Sequence, residues 1–255
     1  LGAIAASCQV ALVTDASMAL SENALIPLYA WMLVAGASML YEHRRTMAIA
    51  CGVLGGCLFL VHPRGLTMAV PVLAALTLPA WREHRLRPLL AWAWTAASLV
   101  GALHWPLEWL AGKSDAPNPD TYSLASVLGH FLHPEAYGWL AFNLVGAFTY
   151  LTVATFGVIV LSLRDTGSAV LSLTGRRLKN VNAQDAIRGA MLFGLAASMF
   201  VTAAYFNPPN RADQLIYGRY ALPTLVPMVA LGIVSLRSAM RGSPPQAWWS
   251  VAVTL

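Results

Sequence analysis

Long apolar runs separated by short polar segments dominate the chain. A run of about 20 apolar residues is long enough to cross a bilayer as an α-helix. The pattern therefore predicts an all-α fold, a polytopic transmembrane helix bundle with about seven full or partial spans. The predicted spans are Ala24–Tyr41, Thr46–Val61, Leu66–Ala80, Leu89–Gly112, Gly138–Leu163, Gly189–Phe206 and Ala221–Leu236.

Apolar sequence also occupies both ends of the chain. Leu1–Val13 resembles the end of a span, and Trp248–Leu255 resembles the start of another. We therefore predict one transmembrane domain over residues 1–255 that is a fragment of a longer membrane domain. The mixed stretch Leu124–Tyr137 predicts a short helix lying along the membrane surface. Arg164–Arg188 is the longest polar segment and predicts a loop.

Two runs carry signals for unusual packing. Gly52 and Gly56 form a GxxxG pattern, which predicts a face where another helix backbone approaches closely. The runs on either side of His62-Pro63-Arg64-Gly65 have about 16 and 15 residues, or roughly 22–24 Å each at 1.5 Å per residue. Because a bilayer core is about 30 Å thick, this break is predicted to lie below the membrane surface. A second break is predicted at His104-Trp105-Pro106.

Composition supports a membrane location. The 255 residues are 58% hydrophobic and 11% charged, whereas soluble domains carry about a quarter charged residues. No basic stretch is interleaved with aromatic residues, so no nucleic-acid partner is predicted. Membrane lipid is the expected surrounding. The three cysteines lie in apolar runs without metal or redox spacing, which is typical of small buried side chains.

The basic residues divide unequally between alternate loops. Twelve of the 16 Lys and Arg fall in one set of loops and four in the other. Since Lys and Arg favour the cytoplasmic side, the richer set is predicted to be cytoplasmic. The protein is then expected in the plasma membrane. The other, outer side holds Arg64, Lys113, Arg211 and Arg219, together with the acidic and histidine residues considered next.

Candidate functional residues collect on this outer side. A carboxylate beside a bilayer is costly, so Asp15 and Glu22 are candidate catalytic residues. The planar fork of arginine matches phosphate oxygens, which makes Arg64, Arg211 and Arg219 candidate phosphate ligands. Structural alternatives remain for each: a carboxylate in the first turn of a helix, or an arginine reaching lipid headgroups.

Histidines and tyrosines on the same side are weaker candidates. His62, His130, Tyr217 and Tyr220 are candidate substrate contacts, although Tyr217 and Tyr220 also fit the aromatic belt of a membrane interface. His130 and His133 have the i, i+3 spacing of a metal pair and lie near Glu135, but no third ligand is evident. No metal-binding residue and no cofactor are therefore assigned, and the pair leaves a divalent metal open as a cofactor.

Three short motifs, in this order, carry a family resemblance. They are Ser21-Glu22-Asn23-Ala24-Leu25, Pro63-Arg64-Gly65-Leu66 and Tyr217-Gly218-Arg219-Tyr220-Ala221-Leu222-Pro223. Their order and layout resemble the multi-pass GT-C glycosyltransferases, in particular the dolichyl-phosphate-mannose mannosyltransferase-like enzymes. The resemblance implies transfer of a sugar from a polyprenyl-phosphate-linked donor to a glycan, lipid or protein acceptor at the outer membrane face, within the cell envelope.

The chain also departs from this family. Members carry a catalytic acid in an external loop after the first span, which here would lie upstream of Leu1. Asp15 is then a substitute candidate, and Glu22 a supporting one. Many members have arginine or another residue where His62 precedes Pro63. Two other functions stay open from the residues alone: a transporter or permease, and a non-enzymatic membrane scaffold subunit.

Overall fold

The computed structural model describes residues 21–110, 129, 131–174, 183–205 and 221–241. Within these residues the regular structure is entirely helical, which confirms the predicted all-α fold. A 3₁₀ turn, Pro63–Gly65, joins the second helix to the third. The helices are α1 Ser21–Glu42, α2 Arg45–Val61, α3 Leu66–Arg82, α4 Leu86–Ala102, α5 His104–Leu110, α6 Pro134–Ala154, α7 Val158–Thr174, α8 Ala183–Tyr205 and α9 Leu222–Arg241.

Four helical stretches have the length and apolar composition to cross a membrane. They are Ala24–Glu42, Leu86–Leu107, Pro134–Ala154 and Ala183–Ala204. Large apolar side chains remain exposed on their outer surfaces, for example Phe142, Val145 and Phe148 on α6. Apolar residues around a whole helix suit lipid better than water. The helices thus indicate a membrane protein, with four helical stretches of spanning length in the described part of the chain.

Close helix contact organises the first half of the bundle. The helix α2 packs against α1, α3 and α4, and its contact with α4 is the most extensive. A Cβ atom on Gly56 would lie 2.6 Å from the Val100 Cβ and 2.9 Å from the Ala97 carbonyl oxygen. A Cβ on Gly52 would collide with the Ala93 carbonyl. The GxxxG pattern therefore marks a close backbone approach, as predicted.

The second half packs on the first through α8 and α9. The helix α8 lies along α3 and α7, and α9 contacts α7 and α1. A Cβ on Gly194 of α8 would lie 2.5 Å from the Tyr29 hydroxyl of α1 and 3.7 Å from Thr224 Cγ2 of α9. Between α7 and α9, the Ser162 hydroxyl donates a hydrogen bond to the Met228 carbonyl. Small residues again set how closely the helices approach.

The single span predicted over Gly138–Leu163 is wrong. The helix α6 ends at Ala154, and Phe156 and Gly157 have φ values of 50° and 75°. The Gly157 N–H donates to the Thr152 carbonyl at 2.8 Å. This left-handed ending with a backward hydrogen bond is a common way to terminate a helix. A new helix, α7, then begins at Val158.

The loop predicted over Arg164–Arg188 is also wrong for most of its length. Residues 164–174 belong to α7, residues 183–188 belong to α8, and only 175–182 lie outside the described residues. The polar side chain of Asp165 accepts a hydrogen bond from the Ser235 hydroxyl of α9. Tertiary pairing therefore keeps a polar stretch helical where its composition predicted a loop.

Two further predictions concern the region between α4 and α6. The break near His104 is confirmed, because α4 ends at Ala102 and α5 starts at His104. Of the surface helix predicted over Leu124–Tyr137, residues 134–137 instead form the first turn of α6, where Pro134 suits a helix start. Residues 124–128 and 130 lie outside the described residues.

Two of the basic loops meet at one end of the bundle. His43 Nε2 lies 3.4 Å from Glu83 Oε1, so the α1–α2 and α3–α4 connections are neighbours. The Arg45 guanidinium lies 3.7 Å from the centroid of the Trp92 ring. The alternation of basic loops predicted these two connections to share one side. The His62–Gly65 break lies at the other end of α2 and α3.

Replacing Gly52 with alanine should destabilise the bundle. The added methyl group would meet the Ala93 carbonyl, and overpacking of this kind typically costs about 1–3 kcal/mol. We expect Gly52→Ala to lower the thermal midpoint of the detergent-solubilised protein by roughly 3–10 °C. Gly167→Ala in α7 is the matched control, because nothing lies within 4 Å of its Cβ position. That change should leave the midpoint unchanged or raise it. Equal midpoints for the two variants would contradict the close α2–α4 contact.

Candidate functional site

The break between α2 and α3 is a tight, fully hydrogen-bonded turn. His62 has extended φ and ψ of −160° and 136°, and its N–H donates to the Leu58 carbonyl at 3.2 Å. The His62 Nδ1 accepts a hydrogen bond from the Arg64 N–H at 3.1 Å. The Gly65 N–H donates to the His62 carbonyl at 2.7 Å. His62 thus caps the turn through both its backbone and its ring.

Glycine at position 65 makes this turn possible. A Cβ on Gly65 would collide with the carbonyl group of Leu58 and lie 2.8 Å from the Phe59 nitrogen. The turn folds back directly onto the last residues of α2, so a side chain at this position would open it. Residue 64 is therefore held at a fixed point against the end of α2, and Arg64 is half-buried there.

A chain of hydroxyl groups ties the turn to α8. The Thr67 hydroxyl donates to the Arg64 carbonyl at 2.8 Å and lies 3.0 Å from the Ser198 Oγ. Thr67 has one hydroxyl hydrogen, which points to Arg64, so Ser198 is the donor to Thr67. The carbonyl of Arg64 is thereby connected through two hydroxyls to a helix more than 130 residues further along the chain.

Two helix starts lie beside α8 in the region of this turn. Thr67 lies in the first turn of α3 and contacts Ser198 in the C-terminal part of α8. Tyr29 of α1 and Thr224 in the first turn of α9 surround Gly194 of α8. The start of α3 thus lies beside the C-terminal part of α8, and the start of α9 lies beside the middle of α8.

An apolar groove of about 380 Å³ begins beside the turn and lies between α2, α3 and α4. Phe59 and Leu66, which flank the break in sequence, line the groove together with Trp94 and Trp105. The rings of Phe59 and His104 are 4.7 Å apart at their centroids. A second groove of about 670 Å³ follows an adjacent face of α3, against Phe193 and Phe200 of α8. The turn that carries Arg64 thus lies beside one end of an apolar groove.

The structure places three of the predicted site residues. His62 and Arg64 lie together in the turn, and Glu22 lies in the first turn of α1 at the same end of the bundle. The remaining six candidates lie outside the described residues: Asp15, His130, Arg211, Tyr217, Arg219 and Tyr220. Residues 206–220, which carry four of them, connect the end of α8 to the start of α9.

The pair His130 and His133, which has the spacing of metal ligands, is described only in part. His133 immediately precedes α6 and is exposed, whereas His130 lies outside the described residues. Among described residues, no group of three His, Cys, Asp or Glu side chains is close enough to hold a metal ion.

Two hydroxyl residues of the site were missed from the sequence. Thr67 follows Arg64 by three positions at a helix start, which is a spacing at which threonine can bond a preceding carbonyl. That signal could have singled it out. Ser198 lies within an apolar run and carries no local signal, because its partner comes from a distant part of the chain.

Comparison of the chain with protein-family models, curated proteins and solved structures found no match.

Removing the Thr67 hydroxyl should loosen the turn. In Thr67→Val the Arg64 carbonyl and the Ser198 hydroxyl lose a partner, which should cost about 1–3 kcal/mol. We expect a thermal midpoint lowered by roughly 2–8 °C and faster hydrogen exchange at the amides of residues 62–66.

Thr149→Val is the control for this change, since the exposed Thr149 hydroxyl bonds only a carbonyl of its own helix. It should leave both measurements nearly unchanged. Unaltered exchange at residues 62–66 in Thr67→Val would show that the hydroxyl chain does not hold the turn.

Proposed function

We propose that the protein is a glycosyltransferase that moves a sugar from a polyprenyl-phosphate-linked donor to an acceptor at the outer membrane face. The observation that carries the proposal is the Arg64 turn, fixed by Gly65 and Thr67 at the head of an apolar groove. An amphipathic donor needs this combination, since its phosphate requires a cation and its tail requires apolar surface. The GT-C-like order of the three motifs supports the same reaction.

The proposed membrane arrangement has about seven spans, with the basic loops cytoplasmic and the Arg64 turn outside, in the plasma membrane. Two observations support it. The His43–Glu83 contact brings two basic loops to one end of the bundle, and the Arg64 turn lies at the other. The unequal division of Lys and Arg favours the cytoplasm for the basic end.

The reaction makes four demands that this chain can meet. Departure of the lipid phosphate needs positive charge, which we assign to Arg64, Arg219 and Arg211. The acceptor hydroxyl must lose a proton to a carboxylate. Glu22 and Asp15 are candidates for this carboxylate within the sequence. In the GT-C enzymes that the chain resembles, the acid lies in an earlier external loop, which here would be upstream of Leu1. His62, His130, Tyr217 and Tyr220 are assigned to the bound sugars. The groove between α2, α3 and α4 would receive the polyprenyl chain.

The capped turn gives His62 a defined part in this scheme. Because its Nδ1 accepts from the Arg64 N–H, a neutral ring carries its proton on Nε2. The ring therefore helps to position Arg64, and it is assigned to the bound sugar because it lies beside that arginine.

Replacing Arg64 should impair the reaction strongly. Loss of one preorganised group that stabilises developing charge costs about 10²–10³-fold in rate. We expect Arg64→Ala to lower kcat/KM for a polyprenyl-phosphate sugar by about 10²-fold or more in the full-length protein. Arg64→Lys should lose less, about tenfold, because it keeps the charge without the planar fork. Arg219→Ala should resemble Arg64→Ala.

The control is Arg164→Gln, which removes an exposed arginine on α7. Sugar transfer should be unaffected. Full activity in both Arg64→Ala and Arg219→Ala would overturn the site assignment. Uptake of a solute by vesicles containing the purified protein, without sugar transfer, would favour a transporter instead.

Glu22→Gln tests the role of the carboxylate in α1. The change keeps the size and polarity of the side chain but removes its basicity. If Glu22 takes the proton, kcat should fall by about 10²-fold with little change in KM. If the main base is upstream, the loss should be below about tenfold. An increase in KM alone would assign Glu22 to acceptor binding.

A further inference from the structure

We infer that Arg45, Arg85 and Trp92 form a binding site for the phosphate headgroup of an anionic membrane phospholipid. The site lies at the basic end of the bundle, away from the Arg64 turn. It does not depend on the proposed sugar transfer, because none of its residues belongs to that site.

Arg45 is held in position by an aromatic ring. Its guanidinium carbon lies 3.7 Å from the centroid of the Trp92 ring, within stacking distance. A stacked guanidinium keeps the N–H groups at its edge available in its own plane, where they can grip two phosphate oxygens. Arg45 is exposed, and Trp92 is 39% exposed, so both are accessible to a headgroup.

Arg85 lies on the same face of α4 as Trp92. The two residues are seven positions apart, which is about two helical turns and roughly 10 Å along the axis. Arg85 precedes the helix with helical φ and ψ of −65° and −28°, so the helical spacing applies to it. Its side chain is exposed. Arg45 and Arg85 are therefore placed to approach one ligand beside Trp92.

The carboxylates at this end are engaged elsewhere. Glu42 forms an ion pair of 2.9 Å with Arg44, and Glu83 lies 3.4 Å from His43. Within the described part of the chain, neither Arg45 nor Arg85 has a carboxylate within ion-pair distance. Among the described residues, two exposed positive charges thus remain without a carboxylate partner next to Trp92.

The position of these residues selects a lipid over a soluble anion. The neighbouring helices Ala24–Glu42 and Leu86–Leu107 have spanning length, and the Arg45–Trp92 contact lies near their basic ends. Tryptophan and arginine near the ends of spanning helices meet headgroups, and anionic headgroups attract basic residues at a membrane surface. In such a lipid the phosphodiester would bind both arginines, and the acyl chains would lie against the apolar side of α4.

The test is equilibrium binding of phosphatidylglycerol to the purified, detergent-solubilised full-length protein, measured by native mass spectrometry. Arg45→Gln and Arg85→Gln should each weaken binding about fivefold, since one basic residue near the surface contributes about 1 kcal/mol. Trp92→Leu should weaken it about threefold through loss of the stacked position of Arg45. Arg45→Lys should also bind more weakly, because charge alone does not replace the fork.

Arg164→Gln is the matched control, an exposed arginine on α7, and should bind as the unchanged protein does. Equal thermal midpoints would show that the variants are folded. The proposal is overturned if Arg45→Gln and Arg85→Gln bind normally, or if Arg164→Gln loses as much affinity. It is also overturned if phosphatidylcholine binds equally well, or if inorganic phosphate displaces the lipid at similar concentration.

Discussion

Contact between helix backbones at residues without side chains is the constraint on which the described bundle depends. In a membrane, lipid chains are as apolar as the helix surfaces, so helices gain little by hiding apolar area and must instead fit closely. Gly52 and Gly56 provide that fit between α2 and α4, and Gly65 provides it where the chain folds back on α2. The geometry of the candidate site depends on these contacts, because both the groove and the turn are formed by α2 and α3.

Hydrogen bonds from hydroxyl groups also join the helices to one another. The Ser162 hydroxyl reaches the Met228 carbonyl across α7 and α9, and Ser198 reaches Thr67 across α8 and α3. Such bonds matter in apolar surroundings because no water competes for their partners. Tyr29 is a contrast: its hydroxyl is buried against Gly194 and has no hydrogen-bond partner among the described residues.

The parts of this structure that could be predicted from sequence are those with a local cause. Runs of apolar residues predicted the helices, the GxxxG spacing predicted the α2–α4 contact, and Pro63 with Gly65 predicted the break that carries Arg64. The division of α6 from α7 was missed because Thr155 and Phe156 are ordinary within an apolar run, and only Gly157 hints at an ending. The helix around Asp165 was predicted to be a loop because its polar composition was the only local signal. The hydrogen-bond partner of Asp165, Ser235, is 70 residues away.

The hydroxyl chain also bears on how the separate motifs could act as one site. Ser198 bonds the turn that carries Arg64, and α8 ends seven residues later at Tyr205, where the chain leads toward Arg211 and Arg219. The helix α8 thus leads from the Arg64 turn to the part of the sequence that contains Arg211 and Arg219. Because helices are stiff over such a distance, a shift of α8 would move Ser198 and Tyr205 together. Under the proposed sugar transfer, this helix offers a physical link by which motifs far apart in the sequence could serve one ligand without direct contact between the arginines.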